Sequence, residues 1–156
     1  MDPPPRLNSA PGTYALVLRC DCMSVIRVGR LGPMRLQPGF YIYVGSALGP
    51  GGVRARLAHH LRIARRPHWH IDHLRPHVRP VETWYSLDPT RREHEWARAF
   101  SPMRACTVPI EGFGSSDCAC RSHLYHSGAA PSPAAFRRRL RMADSRHAPI
   151  RRFRWD

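Results

Sequence analysis

GFYIYVGSALGPGGVRARLAHHL, residues 39–61, runs an apolar segment with two phenols into a glycine-rich turn and then into a stretch of arginines and histidines. GFYIYVG is rich in β-formers and follows the turn signal QPG, so a strand is expected there. Side chains alternate along a strand, which sends Tyr41 and Tyr43 to one sheet face and Ile42 and Val44 to the other. The phenol face is the expected working surface. SALGPGG is a loop by its Gly and Pro content. VRARLAHHLRIARR has helical spacing up to Pro67, with Val53, Leu57, Leu61 and Ala64 as its buried stripe. On that helix Arg56 and His60 stand one turn apart on a common face, while Arg54 and His59 lie elsewhere around it.

Working outward, GTYALVLRC and SVIRVGRL also read as strands and complete a three-stranded antiparallel meander. HWHIDHLRPH reads as a short helix and VETWYSL as a strand. PTRREHEWARAF reads as a helix started by Asp88 or Thr90 beside Pro89. GFGSSDCACRSHLYH is a turn entering a closing strand, SGAAPSPAA is linker-like, and eight arginines follow between Arg137 and Arg154. The expected fold class is α+β: a small, mainly antiparallel sheet of three central strands plus additional edge strands, flanked by helices. Residues 1–11 are expected to be a disordered proline-rich start, 12–128 the domain, and 129–156 an arginine-rich extension. That extension reads as a helix or arm along a nucleic-acid backbone, or as a disordered solubilising tail.

At 156 residues the chain has the size of one domain. Its formal net charge is +14, and all 25 basic residues are arginine. Genomic base composition accounts for the choice of arginine over lysine. It leaves the excess charge, which points to a polyanionic partner. No apolar run approaches the roughly 20 residues of a bilayer span, and MDPPPRLNSAPG lacks a hydrophobic signal core, so a cytoplasmic chain without a membrane partner is expected; a monomer is expected as well. Five cysteines (Cys20, Cys22, Cys106, Cys118 and Cys120) do not resemble a secreted disulfide framework. Cys118, Cys120 and His123 have a C-x-C-x-x-H spacing that offers three ligands to Zn²⁺. A fourth would have to come from His126, His68, His70 or Cys106, and buried thiols are preferred to a zinc site on this pattern.

The order of GTY (Gly12, Thr13, Tyr14), YVG (Tyr43, Val44, Gly45) and VRARLAHHL, followed by HWHID and by GFGSSDCAC with SHL, resembles the GIY-YIG nuclease superfamily. Within it, YVGSALGPGG and the later pieces are similar to the Uri-type branch of stand-alone endonuclease domains. The resemblance covers roughly residues 12–126. It implies a GIY-YIG-like fold and a divalent-metal-dependent endonuclease that hydrolyses phosphodiester bonds in DNA, single-stranded or structured.

By the same resemblance, Tyr14 is the general base or orients the attacking water, provided that a cation lowers its phenol. Tyr43 bonds the water or a phosphate oxygen, Arg56 clamps the scissile phosphate, His60 bonds a phosphate or relays a proton, and Glu93 holds Mg²⁺ or Mn²⁺. In-line attack at a phosphodiester needs these functions. Tyr41, Arg54, His59 and Glu95 remain open as alternatives to Tyr43, Arg56, His60 and Glu93. Arg54, His59, Arg62, His68, His70, Arg137 and Arg138 are the expected nucleic-acid contacts, with Asp72 orienting His68 or His70. Two departures stand out: the insertion SVIRVGRLG between the triplets, and the lack of a late asparagine, for which Ser115, Ser116 or Asp117 is at hand. A non-catalytic nucleic-acid-binding module of the same fold is the alternative reading.

Overall fold

Strand β1 (Gly12–Cys20) is buried at every position except Arg19, which is why GTYALVLRC reads as a continuous apolar run. In the computed structural model, which describes residues 7–101, 106–115 and 118–155, β1 lies near the middle of a six-stranded antiparallel sheet. Chain order gives β2 (Ser24–Arg27), β3 (Pro33–Leu36), β4 (Gly39–Ala47), β5 (Arg79–Ser86), β6 (Cys106–Thr107), β7 (Leu124–Ser127) and β8 (Arg151–Arg154). The sheet order is β6-β7-β4-β1-β5-β8. Helices α1 (Gly52–Leu61), α2 (His70–Leu74), α3 (Glu93–Phe100) and α4 (Pro133–Ala143) complete the α+β architecture. No helix among the described residues is long and apolar enough to cross a membrane.

The expected meander does not form. β1 pairs directly with β4, Tyr14 opposite Gly45 and Leu16 opposite Tyr43, while the insertion between them folds into its own β2–β3 hairpin. Ile26, Val28, Met34 and Leu36 of that insertion pack into the core around Tyr14, Leu16 and Leu18. The insertion therefore covers one sheet face instead of widening the sheet.

Alternation holds along β1 and β4 and gives two apolar layers. Tyr14, Leu16, Leu18 and Tyr41 face α1, α2 and the hairpin. Ala15, Val17, Ile42 and Val44 face Trp96 and Phe100 of α3 and Phe136 and Leu140 of α4. Burying Phe136 and Leu140 stabilises the fold by about 1.5–3 kcal/mol each.

Both chain ends depart from expectation. Within the proline-rich start, Leu7 is buried in the core, and the Asn8 and Ala10 carbonyls accept the Arg54 and Val53 amides that open α1; residues 1–6 lie outside the described residues. At the other end, the segment expected as an extension is integral to the fold: α4 packs in the second layer, and β8 joins the sheet. Ser132 caps α4 by accepting from the Ala135 amide, with Pro133 in the first turn. β8 then pairs with β5, Arg152 reaches Glu82 at 2.6 Å, and the Trp155 indole donates to Thr83 Oγ1 at 2.9 Å.

Helix α1 stops at Leu61, short of Pro67, so Ala64 falls outside it. The reason is the buried Arg75, which donates to the carbonyls of His60 (2.8 Å), Leu61 (3.2 Å) and Val78 (2.6 Å). A guanidinium fork thus replaces the amides of a further helical turn.

Candidate active site

A cavity of about 340 Å³ opens where β4 runs out and α1 begins, and Tyr14, Tyr43, Arg56, His60 and Glu93 all line it. Local sequence explains how they meet. Gly45 faces Tyr14 across the β1–β4 ladder, and any Cβ there would overlap the Tyr14 hydroxyl and come within 2.6 Å of its Cζ. Only a glycine in YVG leaves room for the first phenol. Gly12 of GTY is constrained in the same way, because a Cβ would overlap the Ser86 carbonyl of β5.

Tyr14 Oη lies 2.6 Å from His60 Nε2. The Tyr14 and Tyr43 ring centres are 6.4 Å apart, and each lies 5.6 Å from the His60 ring. Burial first, then His59 and Arg56, press the His60 pKa down to about 3, so the imidazole is neutral at neutral pH. Burial and the neighbouring Tyr43 raise the Tyr14 phenol well above its ordinary value, and Arg56 offsets only part of that. Burial and Glu93 raise Tyr43 to about 12. Both phenols are therefore protonated in the metal-free protein. Tyr14 Oη–H donates to Nε2, or Nε2–H donates to Oη and frees the phenol proton for the cavity. The other ring nitrogen, Nδ1, is buried without a hydrogen-bond partner among the described residues.

Arg56 sits over Trp69, its Cζ 4.6 Å from the ring centre, a cation–π contact that holds the guanidinium in place. Trp69 is fixed by Asp72, whose Oδ2 accepts the amides of His68 (2.9 Å) and Trp69 (3.0 Å). Burial pushes the Asp72 carboxyl up, but those two amides together with His59 more than offset it and leave it below its ordinary value. The imidazole paired with it is that of His59, at 3.3 Å, not His68 or His70. His70 is oriented otherwise: its Nδ1 accepts the Gly114 amide at 2.8 Å.

Glu93 is buried and is the one carboxylate among the described residues that line the cavity. Arg91 contacts its Oε1 through Nε at 2.7 Å and Nη2 at 2.6 Å, leaving Oε2 outside the pair. Glu95, the alternative, is bound to Arg92 at 3.1 Å. A single carboxylate suits a hard dication whose other ligands are water and substrate phosphate.

Tyr41 leaves the site, accepting the Gln37 amide at 3.0 Å and packing its ring 4.8 Å from that of His126. His59 sits outside against Trp69, 4.5 Å between ring centres, and His60 is the inward histidine. His68 and His70 line the cavity, whereas Arg54, His59 and Arg62 do not. Arg137 and Arg138 ride on α4, which packs on the opposite sheet layer from Tyr14. They do not join this cavity. Ser115 is buried, its Oγ unpaired among the described residues, and Ser116 and Asp117 lie outside them.

Trp69, Arg91, His94 and Gly114 also line the cavity and carry no tripeptide signal. Cys118, Cys120 and His123 do gather a fourth ligand-type residue, but it is His94 and none of the four considered from sequence: their ligand atoms lie within 4.8 Å of one another.

A family model described as a domain of unknown function, DUF123, matches residues 13–143. No curated protein and no solved structure matches the chain significantly.

Proposed function

The chain thus belongs to the DUF123 family, and from that premise we propose that it is a divalent-metal-dependent endonuclease of the GIY-YIG type, of the Uri branch, acting on phosphodiester bonds in DNA. The observation that carries this reading is the convergence of Tyr14, Tyr43, Arg56, His60 and Glu93 on one cavity. These residues come from β1, β4, α1 and α3, so core packing alone gives no reason for them to meet.

The cavity is suited to an anion. Arg56 and Arg91 and several histidines surround one carboxylate, in a chain of formal charge +14. Arg56 would hold a nonbridging oxygen of the scissile phosphate, its guanidinium kept in place by Trp69. Neutral His60 holds Tyr14 through the Oη–Nε2 hydrogen bond, and Tyr14 would orient the attacking water, its phenol becoming a base only where a bound cation lowers it. Tyr43 keeps its proton and donates to a phosphate oxygen. A Mg²⁺ or Mn²⁺ held by Glu93 would neutralise phosphate charge and acidify a bound water. Arg91, by engaging only one oxygen of Glu93, orients the other.

The test is cleavage of labelled single-stranded, duplex and flap DNA, with RNA alongside, in Mg²⁺ or Mn²⁺. Arg56→Ala and Glu93→Ala should each lose about 10²-fold or more of activity without loss of fold. Equal cleavage by all three proteins would remove the site assignment. Salt-sensitive binding without turnover in any of them would make the chain a binding module instead.

A further inference from the structure

We propose that His94, Cys118, Cys120 and His123 bind a structural Zn²⁺ ion. The four ligand-type atoms lie within 4.8 Å of one another. Cys118 Sγ is 3.5 Å from His123 Nε2, and Cys120 Sγ is 3.4 Å from His94 Nδ1. A tetrahedral ion with Zn–S near 2.3 Å and Zn–N near 2.05 Å has S···N edges of about 3.6 Å. Both pairs are therefore already at the separation that one ion imposes.

The chemistry of the set selects the metal. Two thiolates with two imidazoles are soft-to-borderline donors, a Cys₂His₂ complement that suits Zn²⁺ and is unlike the oxygen donors preferred by Mg²⁺. Binding would release two thiol protons and leave the centre neutral, so no charge is buried uncompensated. None of the five cysteines is in a disulfide, so the two sulfurs are available.

Four protein ligands close the coordination sphere, which marks the ion as structural rather than catalytic. Its place gives it a purpose. His94 adjoins Glu93 in the first turn of α3, and the other three ligands lie between the Gly112–Gly114 turn and β7. The ion would pin that segment to α3 and fix Glu93 against the wall that carries Gly114, whose added Cβ would lie 3.1 Å from the Tyr43 ring. Glu93 Oε1 stands 4.0 Å from His94 Nε2, on the side of the imidazole away from the sulfurs. It is placed to draw up to the ring N–H once Nδ1 is ligated.

The assignment does not depend on the nuclease reading, because its readouts are metal content and spectrum. The untagged full chain, expressed with zinc, should retain one Zn²⁺ per molecule by elemental analysis. Cys118→Ser/Cys120→Ser should lose it, and Cys22→Ser/Cys106→Ser should keep it. Replacement by Co²⁺ should give intense tetrahedral visible bands with thiolate-to-metal charge transfer, and chelation should lower the melting temperature. The cobalt spectrum of the native chain keeps the test valid if the double serine variant fails to fold. Full zinc retention in that variant, a six-coordinate cobalt spectrum without charge transfer, or a metal-free native protein whose Cys118 and Cys120 react freely with thiol reagent would each overturn it.

Discussion

Gly45→Ala is the most exacting perturbation of the site, because it adds one methyl and removes nothing. The new Cβ would stand 2.6 Å from Tyr14 Cζ and overlap its hydroxyl. Carbon atoms in contact rest about 3.5–4.0 Å apart, so the ring must retreat by about 1 Å. Tyr14 lies in a packed core at 1% exposure, and such overpacking costs about 1–3 kcal/mol. The retreat also stretches the 2.6 Å bond to His60 Nε2 beyond hydrogen-bonding range. His60, whose Nδ1 is already unpartnered, would then have no partner on either nitrogen, adding about 1–3 kcal/mol. Alanine returns up to about 1 kcal/mol through the unfolded chain, which leaves a net loss of about 3 kcal/mol. Urea unfolding at neutral pH measures it, with Gly45→Ala repeated in a Tyr14→Ala background. If the methyl acts through the Tyr14 ring, its cost in that background falls below about 1 kcal/mol. A cost below about 0.5 kcal/mol in the native background, or the same cost in both, would refute the reasoning.

Further outcomes follow from the same geometry. His60 titrates near 6.5 when unfolded and about 3 when folded, so its contribution to stability is complete above pH 6.5 and is lost as pH falls towards 3. That loss reaches about 2 kcal/mol by pH 5, and His60→Gln, compared at pH 7.5 and 5, should lack that share of the acid destabilisation. Arg75→Met strips three buried carbonyls of their donor and should cost about 2–4 kcal/mol by thermal or urea unfolding, with Arg75→Lys restoring little because an ammonium cannot reproduce the fork. Phe136→Ala should cost about 3–5 kcal/mol by urea unfolding; a loss under about 1 kcal/mol would mean that α4 is not part of the core.

The sequence made the strands legible because each rests on short-range information, whereas Tyr14, Tyr43, Arg56, His60 and Glu93 were singled out through the family resemblance. β-formers bounded by turn signals marked β1, β4 and β5, and one helical turn linked Arg56 to His60. The excess positive charge was equally plain. Connectivity was not, since a strand-like insertion such as SVIRVGRL carries nothing to say whether it joins the main sheet or, as here, pairs with Pro33–Leu36. The C-terminal segment was misjudged because its arginines mask a stripe of two residues, Phe136 and Leu140; the capping pair Ser132–Pro133 was the signal that could have revealed it. Arg75 and His94 act across 14 to 29 residues of chain, on the His60 and Leu61 carbonyls and beside the cysteine segment. No periodicity encodes such encounters.

The bond from the Gly114 amide to His70 Nδ1 tolerates a single form of that ring. An amide hydrogen needs a lone pair opposite, so the imidazole proton must reside on Nε2, and burial, with help from His73, keeps the ring from taking a second one. In sufficiently acidic medium two N–H groups would be set head to head, and the backbone at Gly114 would have to swing away from its neighbour. The wall beside Tyr43 is in this sense a latch that stays shut only while His70 is uncharged.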